Sequence, residues 1–356
     1  MKELLESKIG LKQGHNRIKD KIKLNSGIVT MEIIPLAAES LGTRGMCVFI
    51  ETEDQKILID PSVSLGPLRY GLKPHIKEIA AAYLSRQLIL KAVKNTSIII
   101  QTHYHGDHFT LGINRAYEFT NQEIQDKIYG NRDIPILAKD HKKNINYNQK
   151  KRAHWLWKKN ITIHSADNNQ FIYGKTRIIC SPPIPHGKEG SQSGWVISVF
   201  IEDSQDSVLF TSDVHGLESE AALNFILKYK SNQLILDGPS TYHPKQTEED
   251  TRMAFNRIRR ISNNLFYLDH HFLRDKNWRQ ILMEQNLINK ALPLSNLIIK
   301  EPLCLESLRD ELHDQIPMHE FGINFYTFFQ EQQEEVLPII KEQASLLPFV
   351  DLEKRL

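Results

Sequence analysis

Residues 97–108 read Ser97-Ile98-Ile99-Ile100-Gln101-Thr102-His103-Tyr104-His105-Gly106-Asp107-His108. The apolar, β-branched run at the start has the character of a short buried strand. Directly after it, three histidines and an aspartate fall within residues 103–108. Side chains two apart share a side in extended chain, so His103 and His105 face one point. The turn that follows swings Asp107 and His108 toward a second point nearby. Such clustering ordinarily serves two cations about 3.5–4 Å apart. A histidine-rich surface loop is the plain alternative. By composition alone, however, this pattern arises in on the order of one chain in a few thousand, so the spacing favours a metal site.

The rest of the chain bounds what such a site can belong to. With 356 residues and 40% hydrophobic content there is material for one large domain or two ordinary ones. The mean hydropathy is −0.39, and no apolar run approaches the roughly 20 residues of a membrane span. The N-terminus has lysines but no apolar stretch of the secretory type, so the expected location is the cytoplasm, with no membrane association. Cys47, Cys180 and Cys304 are widely spaced, which argues against a disulfide framework and against a cysteine-ligated zinc. The net charge of +2 is uneven. Residues 301–356 carry twelve acidic and four basic side chains, so the remainder is clearly basic. That asymmetry is a modest hint of an anionic substrate near the body of the protein, while solvated helix faces are the favoured account of the acidic tail.

Residues 1–30, Lys-rich and weakly periodic, read as an N-terminal extension. Strands are expected at Met31–Ala38, Cys47–Glu51 and Lys56–Asp60, a helix over Ile76–Lys94, and a strand over Ser97–Thr102. A less regular insert occupies about 109–160. Strands follow at Ile161–Ser165, Phe171–Cys180, Trp195–Glu202, Ser207–Thr211, Gln233–Asp237 and Leu265–Leu268. Helices are expected within Glu218–Lys230, Glu248–Ile261 and Asp275–Lys290. Two groups of short strands with helices between and outside them predict an α/β (α+β) chain over 31–300, with two sheets face to face under helical layers. Residues 301–356 read as an acidic helical appendix. No internal repeat is visible.

The motif resembles the signature loop of the metallo-β-lactamase superfamily. The stretch 31–42 and the later Ile57-Leu58-Ile59-Asp60-Pro61 are similar to a narrower, mainly archaeal branch of predicted metal-dependent hydrolases. The resemblance covers roughly residues 31–290 and implies a four-layer αββα sandwich. It also implies further ligands at strand ends: His186 as third histidine of one metal, Asp213 as the carboxylate between the metals, and His270 or His271 completing the second. The implied set is His103, His105 and His186 on one metal, Asp107, His108 and His270 (or His271) on the other, with Asp213 shared. Histidine and carboxylate ligands without thiolate suit two Zn²⁺, with Mn²⁺ or Fe²⁺ as alternatives. A diiron oxygen-reducing enzyme of this fold is disfavoured, since those usually carry a glutamate where this chain has His105. Gly106 stands where the narrower branch often has a bulkier residue.

The chemistry expected of such a site is hydrolysis. Two cations bring the pKa of a bridging water toward about 7, and the resulting hydroxide attacks an ester-like carbonyl carbon or phosphorus. Asp107 both ligates and orients the nucleophile, and Asp213 is the second catalytic carboxylate. Asp60, at a strand end, fixes a ligand histidine or caps the Pro61 turn. Arg69, Tyr242 and His243 are candidate substrate-binding residues. A small-molecule or phosphoester substrate is expected, anionic in character. Two other readings remain open. Residues 142–159 interleave lysines and Arg152 with Tyr147, Trp155 and Trp157, the pairing that grips single-stranded nucleic acid in a nuclease. The metals of a non-catalytic protein would be purely structural. The sequence does not specify the oligomeric state.

Overall fold

A computed structural model describes residues 31–159, 161–261, 265–315, 331 and 333–356. The predicted extension 1–30 and part of the predicted appendix lie outside the described residues. Six strands form the first sheet in chain order: β1 (Glu32–Ala38), β2 (Met46–Glu51), β3 (Lys56–Ile59), β4 (Ile98–Gln101), β5 (Ile136–Ala138) and β6 (Ile163–Ser165). From β1 to β3 neighbours are antiparallel, and from β3 to β6 they are parallel. The second sheet takes β7 (Gln170–Tyr173) and β8 (Thr176–Cys180) at one edge. A small hairpin, β9 (Ile184–Pro185) with β10 (Trp195–Val196), interrupts the chain before the sheet resumes. It continues through β11 (Val199–Glu202), β12 (Ser207–Phe210), β13 (Gln233–Leu236), β14 (Phe266–Leu268) and β15 (Ala291–Leu292). Here β7, β8, β11 and β12 are antiparallel neighbours, and β12 to β15 are parallel. Each half thus repeats one scheme, an antiparallel start and a parallel finish, which no residue repeat in the sequence announces.

Alternation along the second sheet shows why the two sheets stack. Ile178, Cys180, Val199, Ile201, Val208, Phe210 and Ile235 belong to the core shared with the first sheet. Their neighbours Ile179, Phe200, Leu209, Leu234 and Leu236 belong to a second core on the opposite face. Successive strand residues point to opposite faces, so a sheet apolar at every position must be covered on both. The outer cover comes from α4 (Glu220–Lys228), α5 (Glu248–Ile261) and α6 (Trp278–Glu284), which contribute Leu223, Phe255 and Leu282 to that second core. On the first sheet the cover is α1 (Ile76–Val93), while α2 (Gln122–Tyr129) and α3 (Tyr147–Trp157) lie in the connections around β5. The result is the four-layer αββα sandwich that the sequence predicts.

Several elements differ from the sequence expectation. The stretch 109–160 is not simply an irregular insert: it supplies β5, inside the first sheet between β4 and β6. Three residues are too few to show periodicity. The run Phe171–Cys180 is a hairpin, since Gly174, at φ +59°, reverses the chain between β7 and β8. Trp195–Glu202 divides into β10 and β11, and the helix expected over Asp275–Lys290 is confined to α6.

The described part of the C-terminal segment is built into the fold through α7 (Arg309–Gln315) and α8 (Gln333–Ser345). Val336, Ile340 and Ala344 of α8, with Leu347, Phe349 and Leu352, join the main core beside α1. That explains why α1 buries residues nearly all round: it has a sheet on one side and α8 on the other. Two ion-pair clusters pin the segment. Buried Glu78 accepts from His75 N (2.8 Å) and from Arg309 Nε (2.9 Å). Glu306 accepts from Arg44 Nε and Arg69 Nε, each at 2.7 Å. Burial pushes the Glu306 carboxyl up, but the bond and charge of Arg44, then Arg274 and Arg69, hold it well below the usual carboxylate range. A depressed carboxylate stabilises the fold fully above its unfolded pKa of about 4.3 and loses that contribution as pH falls through the folded value. Glu306→Gln is therefore expected to cost about 3 kcal/mol in urea unfolding at pH 7, with the gap to wild type narrowing once the pH drops below about 4. A gap under about 0.5 kcal/mol at pH 7 would mean the arginines find other partners.

Candidate metal centre

The carboxyl ends of the parallel strands meet at one edge of the sandwich, and every candidate ligand but His186 sits there. Asp60 follows β3, His103 to His108 follow β4, Asp213 follows β12, Asp237 follows β13, and His270 follows β14. His186 comes from the turn of the β9–β10 hairpin. Four non-glycine residues at these strand ends have positive φ: Asp60 (47°), Ser212 (57°), His215 (49°) and His270 (48°). Such backbone costs of order 1–3 kcal/mol per residue and persists where the surroundings over-determine it, often at functional sites.

Two clusters form around Asp213. In the first, His103, His105, His186 and Asp213 offer one ligand atom each, all mutually within 4.8 Å. His186 Nε2 lies 3.1 Å from Asp213 Oδ2 and 3.1 Å from His105 Nδ1, and His103 Nε2 lies 3.6 Å from Asp213 Oδ2. In the second, Asp107, His108 and His270 converge in the same way. His108 Nε2 is 3.0 Å from Asp213 Oδ1 and 3.3 Å from His270 Nε2, while His270 Nε2 is 3.6 Å from Asp107 Oδ2 and 3.5 Å from Asp213 Oδ2. Asp213 is the carboxylate between the two groups.

The donor set fits divalent cations. His103 Nε2 is buried with no hydrogen-bond partner, and Asp213 Oδ1, despite its distance from His108, makes no hydrogen bond either. Buried polar atoms left unpaired are costly, so these lone pairs call for a positive centre. Burial, with His186 beside it, lowers the His105 pKa to about 3, and burial with Arg274 lowers His270 to about 4. Both rings are therefore neutral donors at pH 7. Burial also works against charge on Asp213, yet His108, His270 and His103 hold it well below its ordinary value. Neutral imidazoles and ionised carboxylates are the forms that bind metal.

A second layer of contacts holds these rings. His108 Nδ1 is 2.8 Å from Asp60 Oδ2, and Asp60 also accepts from Thr102 N (2.7 Å) and Thr102 Oγ1 (2.5 Å). His103 Nδ1 has Thr102 Oγ1 at 3.2 Å and Ser212 Oγ at 3.3 Å. Arg274 donates to Glu39 Oε1 (Nε, 2.7 Å) and to Tyr242 Oη (Nη1, 3.2 Å), with its Nη2 3.5 Å from Asp107 Oδ2. His271 offers a ligand atom within 4.8 Å of Asp213 and His270, while its Nδ1 is 3.1 Å from Asp237 Oδ2 and its ring lies 4.1 Å from that of His215.

The predicted residues Asp60, His103, His105, Asp107, His108, His186, Asp213 and His270 thus come together. Of the predicted substrate-binding residues, Arg69 is paired with Glu306 and stacks over the Tyr242 ring at 4.2 Å, so both are engaged within the protein. His243 Nδ1 accepts from Lys245 N within its own loop. Sequence reading passes over Glu39, His215, Asp237 and Arg274. His215 stands two residues after Asp213, Arg274 four after His270, and Asp237 at the end of an expected strand, and those placements are the signals the sequence carries for these three.

No protein-family model matches the chain. A UPF0282 protein from Pyrococcus furiosus is 38% identical over 292 residues, spanning 80% of this chain and 92% of that protein. A UPF0282 protein from Korarchaeum cryptofilum is 36% identical over 313 residues, covering 84% and 99%. Among solved structures, the metallo-β-lactamase fold protein YhfI from Bacillus subtilis aligns over 67% of this chain and 85% of its own, at 13% identity and a TM-score of 0.40.

Removing the carboxylate behind His108 tests the arrangement. Asp60→Ala is expected to weaken zinc binding about 10–100-fold, measured by competition with a chromophoric chelator. Wild-type affinity in that variant would show that Asp60 only shapes the Pro61 turn.

Proposed function

The chain belongs to the UPF0282 family, and from that premise we propose that it is a dinuclear metal-dependent hydrolase of an ester-like, anionic substrate, with a phosphoester preferred. The observation that carries the reading is the pair of clusters sharing Asp213, one of His103, His105 and His186, the other of Asp107, His108 and His270. Two zinc ions suit this set of imidazole and carboxylate donors, with Mn²⁺ or Fe²⁺ as alternatives. Bound there, they supply Lewis acidity, which generates a nucleophile from water near neutral pH and polarises the substrate oxygen.

The chain's own groups do the rest. Asp107 is the most accessible carboxylate of the centre, its side chain 19% exposed against 2% for Asp213. It is positioned to accept a hydrogen bond from an incoming water and orient it toward the substrate. Arg274, fixed by Glu39, keeps a positive charge beside Asp107 and, with His108 and His270, holds that carboxyl ionised. The buried rings of His103, His108 and His270 exclude bulk water from the inner side. Excluding water strengthens every electrostatic interaction made within the site.

A nuclease acting on single strands is a second reading, favoured by one observation. Tyr147 and Trp155 of α3 are 79% and 46% exposed, unusual for rings of that size, and stand among exposed lysines close to the centre. Strongly salt-dependent affinity for oligonucleotides would favour it; salt-insensitive turnover of small esters would count against it.

Two outcomes test the proposal. Chelation is expected to abolish turnover of phosphodiesters or activated esters, with zinc restoring it. Asp107→Ala is expected to lower kcat at least about 100-fold while leaving the thermal transition within a few degrees of wild type. Wild-type turnover by that variant would sink the mechanism.

A further inference from the structure

Solvent reaches the candidate metal centre along one edge of the motif. His103, His108, Asp213 and His270 are almost completely buried, whereas His105, Gly106 and Asp107 form the edge that solvent reaches. Two arginines flank that edge. Arg152, on α3, donates from Nη1 to the Tyr104 carbonyl at 3.1 Å, between the two histidines of the motif. That is its one hydrogen bond among the described residues, and it pairs there with no carboxylate. The charges of Arg115 and Asp107 are both felt at Arg152. Arg115 reaches the loop from the other direction, with Nη1 3.8 Å from where a Cβ on Gly106 would stand, and it is paired with Glu118 at 2.7 Å.

Gly106 explains how the edge stays open. Its φ is not positive, so the backbone does not demand glycine, and an added Cβ would meet only the far end of Arg115. A larger side chain would project into the space beside that guanidinium. Gln149, one turn before Arg152, completes the wall: its Nε2 lies 3.4 Å from His105 Nε2 and donates to the Ser193 carbonyl at 2.9 Å.

A half-buried guanidinium without a carboxylate partner, beside a second one, is an arrangement that an anion relieves. Guanidinium groups also match phosphoryl oxygens two at a time, which an ammonium does not. We propose that Arg152, assisted by Arg115 across the opening left by Gly106, binds a phosphate group of the substrate at the entrance to the metal centre. The inference rests on the hydrolase reading for its place in a reaction, but the anion site can be tested without turnover.

The test is calorimetric binding of inorganic phosphate to the zinc-loaded protein, with zinc content measured on each sample. Arg152→Ala is expected to weaken phosphate binding at least about tenfold with zinc content unchanged. Arg152→Lys should lose less, and Arg115→Ala about two- to fivefold, because Glu118 already neutralises much of that charge. Phosphate affinity within about twofold of wild type in Arg152→Ala would overturn the proposal. So would a loss of zinc parallel to the loss of phosphate, which would mean that Arg152 merely props the metal loop through the Tyr104 carbonyl. If phosphate binding depends on Arg152 but the wild-type protein hydrolyses no phosphoester, the anion site stands and the phosphoester reading fails. If the wild type turns over phosphoesters while phosphate binding is indifferent to Arg152, the phosphoester reading stands and the anion site fails.

Discussion

One buried carboxylate, Asp213, has to serve two groups of histidines at once. Its Oδ2 faces His103, His186 and His270, and its Oδ1 faces His108. A charge in so dry a place is strongly unfavourable unless opposite charge meets it from several directions. The surrounding histidines hold it ionised, although burial lowers the pKa of His103, His105 and His270 themselves. Only His108 is pushed toward the charged form, by Asp213 and Asp60 acting against burial. Cations at the two clusters would meet the requirement directly, and the strand ends at positive φ, the Asp60–Thr102–Ser212 contacts behind the rings and the tight turn of residues 103–108 hold the donors in place for them.

Around that inner shell lies a ring of balanced charge. Glu39 meets Arg274, Glu306 meets Arg44 and Arg69, and Arg274 extends toward Asp107. Glu306 belongs to the C-terminal segment, and it is linked to Asp107 through Arg69, which stacks on Tyr242, and Arg274, which donates to Tyr242. On this side the arginines are already partnered. Across the opening, Arg152 pairs with no carboxylate among the described residues, and the proposed anion site rests on that contrast.

The fold and the convergence of the histidines and aspartates were legible because their signals are local or periodic. Residues 97–108 place a strand and four donors within one stretch, and His186, Asp213 and His270 each stand at a strand end, where a motif of this kind needs partners. Of the contacts behind the rings, Asp60 was legible from its strand end, and the rest were not. The pairing of Glu39 with Arg274 spans 235 positions, and that of Arg44 with Glu306 spans 262. Nothing near either residue announces its partner. Sequence pattern also fails where elements are very short, as in β5 and β15, or where a tight turn hides in an apolar run, as at Gly174. Arg69 and Tyr242, expected at the substrate, stand in contact with each other and with Glu306 and Arg274, contacts that the sequence does not announce.

The measurement that bears most directly on the shared carboxylate is the metal content of the purified protein, by elemental analysis, for wild type beside Asp213→Ala. A carboxylate serving two cations predicts about two zinc per wild-type chain and a clear fall in the variant, with the fold retained by circular dichroism. One metal or none in the wild type, unchanged by removing Asp213, would contradict it.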